Sequence, residues 1–323
     1  MKHLVIESTH YRYLEKSYTE WLTTLGFAET TTSSLPVHVR EFLHFLEKQN
    51  IKHITQVQPR ILYKFIEYVS QRKHQTQPTL LSPYSINKII TAVNSFALYL
   101  NKSGKHIIDV HGKRLAIEEV EKQILTNLEI KQLYEATFEP NPINNNAIGQ
   151  RDRAVIALFY GCGIRRNEGI QLNIQDIDLI KAVVFIRKGK GNKQRHVPIA
   201  SKHLEDIKEY LEEGRNTFLK DNRSPWHIKK NLKKQNTDDE AFFINQFGKR
   251  MTDFYHRIKI LKERTGIVKS IGLHIFRHSI ATHLLQSGMK IEDIAKFLGH
   301  ASLASTQIYT HIVAELENKN EYE

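Results

Sequence analysis

Four stretches in the first hundred residues carry apolar side chains at three- and four-residue steps, a period that buries one face of an α-helix. Tyr11, Leu14, Tyr18, Trp21, Leu22 and Leu25 form the first stripe, with Gly26 as its C-terminal stop. Val39, Phe42, Leu43 and Leu46 form the second. Pro59 opens the third, where its missing N–H is one that a first turn leaves unpaired anyway; Leu62, Phe65, Ile66 and Val69 line it. Pro83 and Ser85 introduce the fourth, with Ile86, Ile89, Ile90, Val93, Ala97 and Leu100 on one side and Gly104 just beyond. Four amphipathic helices on short connections predict a small helical bundle.

The period breaks over residues 102–123, a mixed-charge run containing Gly104 and Gly112 that reads as an interdomain linker. Order resumes at Thr126, whose spacing to Glu129 fits a capping box. Asn141 to Asn146 reads as a polar loop, and Ala154 to Tyr160 as a helix core running into Gly161 and Gly163. Strands are predicted at Ala182 to Arg187 and Arg195 to Ile199, flanking a glycine-bearing basic hairpin tip, with a third at Ala241 to Ile244. Asn222 to Asp239 is lysine-rich and reads as a mobile loop. From Leu273 the pattern is helical again. A chain of 323 residues exceeds what one core usually serves. The expected domains are 1–111, a linker at 112–123, and 124–323.

The chain contains 47 Lys+Arg against 35 Asp+Glu, a net charge of +12. Residues 1–106 hold 13 Lys+Arg and 7 Asp+Glu, so both halves share the excess equally. That suits two domains gripping one polyanion, and equally a basic protein with solvated lysines. The single cysteine, Cys162, forms no internal disulfide and no thiolate metal site by itself. No apolar run approaches the ~20 residues a bilayer span requires, and Met1 to Thr9 lacks a secretory signal's apolar stretch. A cytoplasmic location is the expectation, with a polyanion as partner.

Four segments stand out: Gly163-Ile164-Arg165-Arg166-Asn167-Glu168; Lys190-Gly191-Asn192-Lys193-Gln194-Arg195-His196-Val197-Pro198; His274-Ile275-Phe276-Arg277-His278-Ser279; and Leu298-Gly299-His300 with Tyr309 nine residues on. Singly, each has an ordinary explanation. Arg165 and Glu168 could be an exposed i,i+3 ion pair, the lysines solvated turn residues, and His274 and His300 satisfied core histidines. Tyr309 could pack its ring into an interface. His274 and His278 have the spacing of zinc ligands on a helix, but Ile275 stands where that motif needs Glu and Arg277 would face the cation. Ala281 to Gly288 followed by Met289 to Gly299 reads as helix, turn, helix, so a non-cleaving DNA reader is an alternative. It would leave Arg165, Lys190 and Arg277 without a purpose.

Together, in order, the four segments resemble the tyrosine recombinase (phage integrase) family: an arginine in G-[aliphatic]-R-x-x-E, a hairpin lysine, H-x-x-R-H, L-G-H, and a tyrosine nine residues after that histidine. The likeness covers about 125–311, and the bundle before it fits the family's core-binding domain in kind. It implies a mainly α fold, with an N-terminal helical bundle and a mixed catalytic domain carrying a small antiparallel β-sheet. It implies site-specific cutting and rejoining of DNA through a 3′-phosphotyrosyl intermediate, with type IB topoisomerase-like relaxation as a nearer alternative.

The residue types suit that chemistry. Tyr309 is implied as nucleophile, His274 as proton acceptor and Lys190 as proton donor to the leaving 5′-oxygen. Arg165 and Arg277 would clamp the non-bridging oxygens, as planar guanidinium forks do well. His300 would hydrogen-bond the phosphate, and Glu168 would support Arg165. Arg166, Lys188, Lys193, Arg195 and His278 are expected on the DNA. Gly169 departs from the family's bulky residue and is expected to loosen packing beneath Arg165. No metal and no cofactor are implied. The expected partners are double-stranded DNA and three further copies in a homotetramer on two sites; the acidic tail Ala314 to Glu323 reads either as the docking element between copies or as a frayed terminus.

Overall fold

The apolar stripes of the first hundred residues become four helices: α1 (Thr9–Thr24), α2 (Glu29–Lys48), α3 (Pro59–Ser70) and α4 (Pro83–Lys102). The computed structural model describes residues 4–73, 79–104, 111–117, 123–139, 145–187, 194–221 and 238–299. The chain divides into two compact units, Met1–Val120 and Glu121–Glu323.

In the first unit Tyr11, Tyr18, Leu22, Phe42, Leu46, Phe65, Ile90 and Phe96 are fully or almost fully buried in one core. Tyr18 satisfies its hydroxyl inside that core by donating to Ser95 Oγ at 2.8 Å. Ser82 caps α4, its hydroxyl accepting from Ser85 N, and Pro83 fills the first turn. Part of the expected linker is bound to this helix. Asn94 Oδ1 accepts from Gly112 N at 2.7 Å and Asn87 Oδ1 from Leu115 N at 2.7 Å. Each asparagine amide donates back to the same residue's carbonyl, so two side chains hold 112–115 as a neighbouring strand would.

The second unit contains α5 (Asn127–Glu135), capped by the Thr126–Glu129 box, and α6 (Asn145–Ile156), which continues as a π-helical turn over Ala157–Gly161. Then come α7 (Arg166–Gln171), a three-stranded sheet, α8 (Ser201–Glu209), a second π turn at Tyr210–Gly214, and α9 (Arg215–Asp221). The chain closes its described part with α10 (Tyr255–Thr265), α11 (Leu273–Gln286) and α12 (Ile291–Leu298). Phe159, Tyr210, Phe242, Phe243 and Phe254 form an aromatic cluster in its core. Among the described residues no helix is long and apolar enough to cross a membrane.

The sheet is antiparallel in the order β1 (Ile177–Asp178), β2 (Val183–Ile186), β3 (Arg195–Pro198). Val184 faces Val197 and Ile186 faces Arg195. The third strand is thus Ile177–Asp178, not the expected Ala241 to Ile244. That segment makes only isolated bridges, Ala241 with Asn173 and Ile244 with Arg250, and all four of its side chains are enclosed in the core. The expected loops at 141–146 and 222–239 lie largely outside the described residues, as does hairpin tip 188–193. The fold is mainly helical with a small antiparallel sheet.

Candidate active site

Helix α6 and its π turn end at Cys162, and Gly163 turns the chain back with φ +57°. A Cβ at Gly163 would lie 2.7 Å from Leu298 Cδ2, so both the backbone angle and the close approach of α12 require glycine. Buried Ile164 anchors the turn, and Arg165 then occupies the N-cap position of α7.

Glu168 is the hub of the arginine cluster. Its Oε2 accepts from Arg165 N at 2.8 Å and its Oε1 from Arg165 Nη1 at 2.8 Å. Arg195, the first residue of β3, donates Nη1 to Oε1 at 2.9 Å and Nη2 to Oε2 at 2.8 Å, a bidentate fork. The Glu168 side chain is 3% exposed. Burial raises its pKa, but hydrogen bonds and charge from Arg195 and Arg165 outweigh burial and pull the carboxyl down to about 2. Glu168 is therefore ionised throughout the neutral range.

The arginines also meet the end of α12. Arg165 Nη2 donates to Gly299 O at 3.0 Å, and Arg277 Nη2 donates to Leu298 O at 2.6 Å. The other terminal nitrogen of Arg277 donates to Gly163 O. Carbonyls closing a helix carry partial negative charge, so this helix end is a natural seat for guanidiniums. Gly299 is in the left-handed conformation, φ +63°, and ends the helix there. Three guanidiniums against one carboxylate leave two surplus positive charges around this point, a fit for an anionic oxygen cluster.

The structure thus brings Arg165, Glu168, Arg277 and Arg195 together. His274 lies exposed in the first turn of α11, one turn before buried Arg277. His278 is half-buried on the same helix. Arg166 is exposed, with Nη2 held by Thr252 O at 2.8 Å. Lys188, Lys190, Lys193, His300 and Tyr309 lie outside the described residues. Among the described residues no group of three or more His, Cys, Asp or Glu gathers as metal ligands.

Two expectations change. Arg195, assigned to DNA, has an 11% exposed side chain with both terminal nitrogens on Glu168. Its partnership was missed, yet strand alternation signals it. Arg195 and buried Val197 share the inward face of β3, and an inward arginine needs a buried counter-charge. Gly169 does not loosen the packing. The place of its missing Cβ is filled by the ring of Phe159, whose Cζ would lie 2.4 Å away. Gly169→Ala is accordingly expected to destabilise the protein by about 1–3 kcal/mol through overpacking, despite alanine's better helix propensity. Urea denaturation checks this, and an unchanged or raised midpoint would contradict it.

Residues 123–315 match the phage integrase family model. A tyrosine recombinase XerC of Oceanobacillus iheyensis is 33% identical over 279 residues, covering 85% of this chain and 83% of that protein. A tyrosine recombinase XerC of Bacillus subtilis is 30% identical over 318 residues, covering 98% and 94%. Among solved structures, XerH site-specific recombinase bound to palindromic difH substrate in a post-cleavage complex superposes with a TM-score of 0.68. It is 21% identical, with 93% of this chain and 80% of that one covered. The Tn1549 transposon integrase in complex with a circular intermediate DNA gives 0.63 at 16% identity, covering 95% and 99%. These two are likenesses of fold.

Proposed function

The chain belongs to the phage integrase family, tyrosine recombinases that cut and rejoin DNA at specific sites, and from that premise we propose how its own residues perform the reaction. Tyr309 attacks the scissile phosphodiester, forming a 3′-phosphotyrosyl bond as the bond to the 5′-oxygen breaks. A phenol titrates near ~10, so its proton passes to His274 during attack. Lys190 protonates the departing 5′-oxygen. Arg165 and Arg277 hold the non-bridging oxygens and oppose the charge that grows there, while His300 hydrogen-bonds the phosphate. The phosphotyrosyl bond conserves the energy of the broken diester, so a 5′-hydroxyl of a partner strand rejoins the DNA without ATP.

What supports this reading most is the pair of bonds from Arg165 and Arg277 to the consecutive carbonyls of Gly299 and Leu298, directly before His300. Partners 134 residues apart in sequence meet there. Double-stranded DNA is the substrate, and the net charge of +12, present in both parts of the chain, suits its backbone. In the same reading 1–111 is a core-binding domain and 124–323 the catalytic domain. Four copies act on two sites, the tail Ala314 to Glu323 of each docking on a neighbour. Family membership does not favour a non-cleaving helix-turn-helix reader or a relaxing topoisomerase.

The test is covalent capture. A nicked suicide duplex, selected by the protein from a random-sequence pool, is expected to give an SDS-resistant adduct, unchanged in excess EDTA. No adduct from any pool would contradict the reading, and loss in EDTA would contradict its metal-free chemistry. Lys190→Ala is expected to cleave at least ~10²-fold more slowly, with most of the rate restored by a 5′-bridging phosphorothiolate, whose sulfur leaves unprotonated. Absence of restoration would remove Lys190 from the proton-donor role.

A further inference from the structure

A buried carboxylate beside Arg165 poses an electrostatic problem. Glu168 accepts from both the backbone and the guanidinium of Arg165, and alone with it would form a neutral pair. Arg165 would then offer little net charge to a phosphate. Arg195 alters that balance: its fork takes both oxygens of Glu168 from the β3 side, leaving the trio with one net positive charge. The same side chain packs against Gly299 at the end of α12. A Cβ at Gly299 would stand 2.7 Å from Arg195 Cδ and 2.9 Å from Nε. One partly buried side chain therefore touches the carboxylate that orients Arg165 and the residue whose carbonyl receives Arg165 Nη2. Residue 195 also begins β3, five residues after Lys190 in sequence.

We propose that Arg195 is a positioning residue of the cleavage reaction, neutralising Glu168 so that Arg165 keeps its positive charge for the scissile phosphate. The inference rests on the cleavage reading above. It separates the role of Arg195 from DNA binding, because a guanidinium enclosed between Glu168 and Gly299 contributes through Arg165 and not through its own contact with the duplex.

The experiment measures single-turnover cleavage of the captured suicide duplex, with DNA affinity and thermal midpoint recorded alongside. Arg195→Met is expected to slow cleavage by about 10²-fold, the scale of losing one electrostatic contact, with affinity within about threefold of the wild type. Arg195→Lys, which keeps the charge and loses the fork, is expected to fall between the two. The decisive arm is Glu168→Gln with Arg195→Met: neutralising both restores the single surplus charge on Arg165, and cleavage is expected to recover at least tenfold over Arg195→Met. A packing role alone predicts no recovery, and that result would overturn the proposal, as would Arg195→Met cleaving at the wild-type rate. Should Arg195→Met not fold, the double variant, free of a buried carboxylate that has lost its second guanidinium, carries the test alone. It is then expected within about tenfold of the wild type, and a folded but inactive double variant overturns the proposal. Wild-type protein that forms no adduct would overturn the cleavage reading together with this one, whereas a wild-type adduct with no recovery overturns only the role of Arg195.

Discussion

Tyr309→Phe is expected to abolish the SDS-resistant protein–DNA adduct, a fall of at least ~10⁴-fold, while DNA affinity stays within about threefold. Phenylalanine keeps the ring and removes only the oxygen that attacks phosphorus. The choice of Tyr309 rests on its spacing, nine residues after the histidine of Leu298-Gly299-His300. Tyr322 stands further on in the acidic tail without that spacing. Adduct formation by Tyr309→Phe at an appreciable rate would place the nucleophile elsewhere.

Arg277→Ala is expected to cost about 10²–10³-fold in cleavage, the range for losing one donor aimed at developing charge. It also costs stability. Arg277 is 5% exposed and joins Gly163 O to Leu298 O, tying the turn before Arg165 to the end of α12. Each buried carbonyl left unpaired costs about 1–3 kcal/mol, so the thermal midpoint falls as well. Cleavage is therefore compared at a temperature where the variant is folded. Arg277→Lys is no rescue, because one ammonium cannot span two carbonyls set apart by a planar fork. A folded Arg277→Ala that cleaves within threefold of the wild type would contradict its place on the phosphate.

The helices of the first unit were legible because their stripes bury one face, and Tyr11, Tyr18, Phe42, Phe65 and Leu100 are all enclosed as that period requires. The start of α2 was not. The run Thr30 to Ser34 and the internal Pro36 disguise two turns that the helix nonetheless includes. Hydrophobic period also misses buried polar residues that bring their own partners. Gln150, Arg151, Asp152 and Arg153 on α6 are all buried, with Arg153 bonded to Glu209 and Asp152 to Arg257. At the site, the family resemblance pointed to Arg165 and Arg277, through the G-I-R-R-N-E and H-I-F-R-H runs that carry it. The partner of Arg195 was hidden because this residue closes a run of basic residues that looks uniformly solvent-facing. Only the pleat, with Val197 inward beside it, shows that its charge must be met inside. Gly169 was misread for a related reason: a missing side chain suggests a gap until a ring from another element, here Phe159, is known to fill it.

In the proposed reaction, residues far apart in this chain gather on one phosphodiester and exchange it for a bond to Tyr309. Protease digestion of the adduct, with mass spectrometry of the DNA-linked peptide, measures it directly. The expected product is a peptide spanning Tyr309 that carries a nucleotide through its 3′-phosphate, with a free 5′-hydroxyl on the released strand. A linkage to any other residue, or a 5′-phosphate on the protein, would contradict the account.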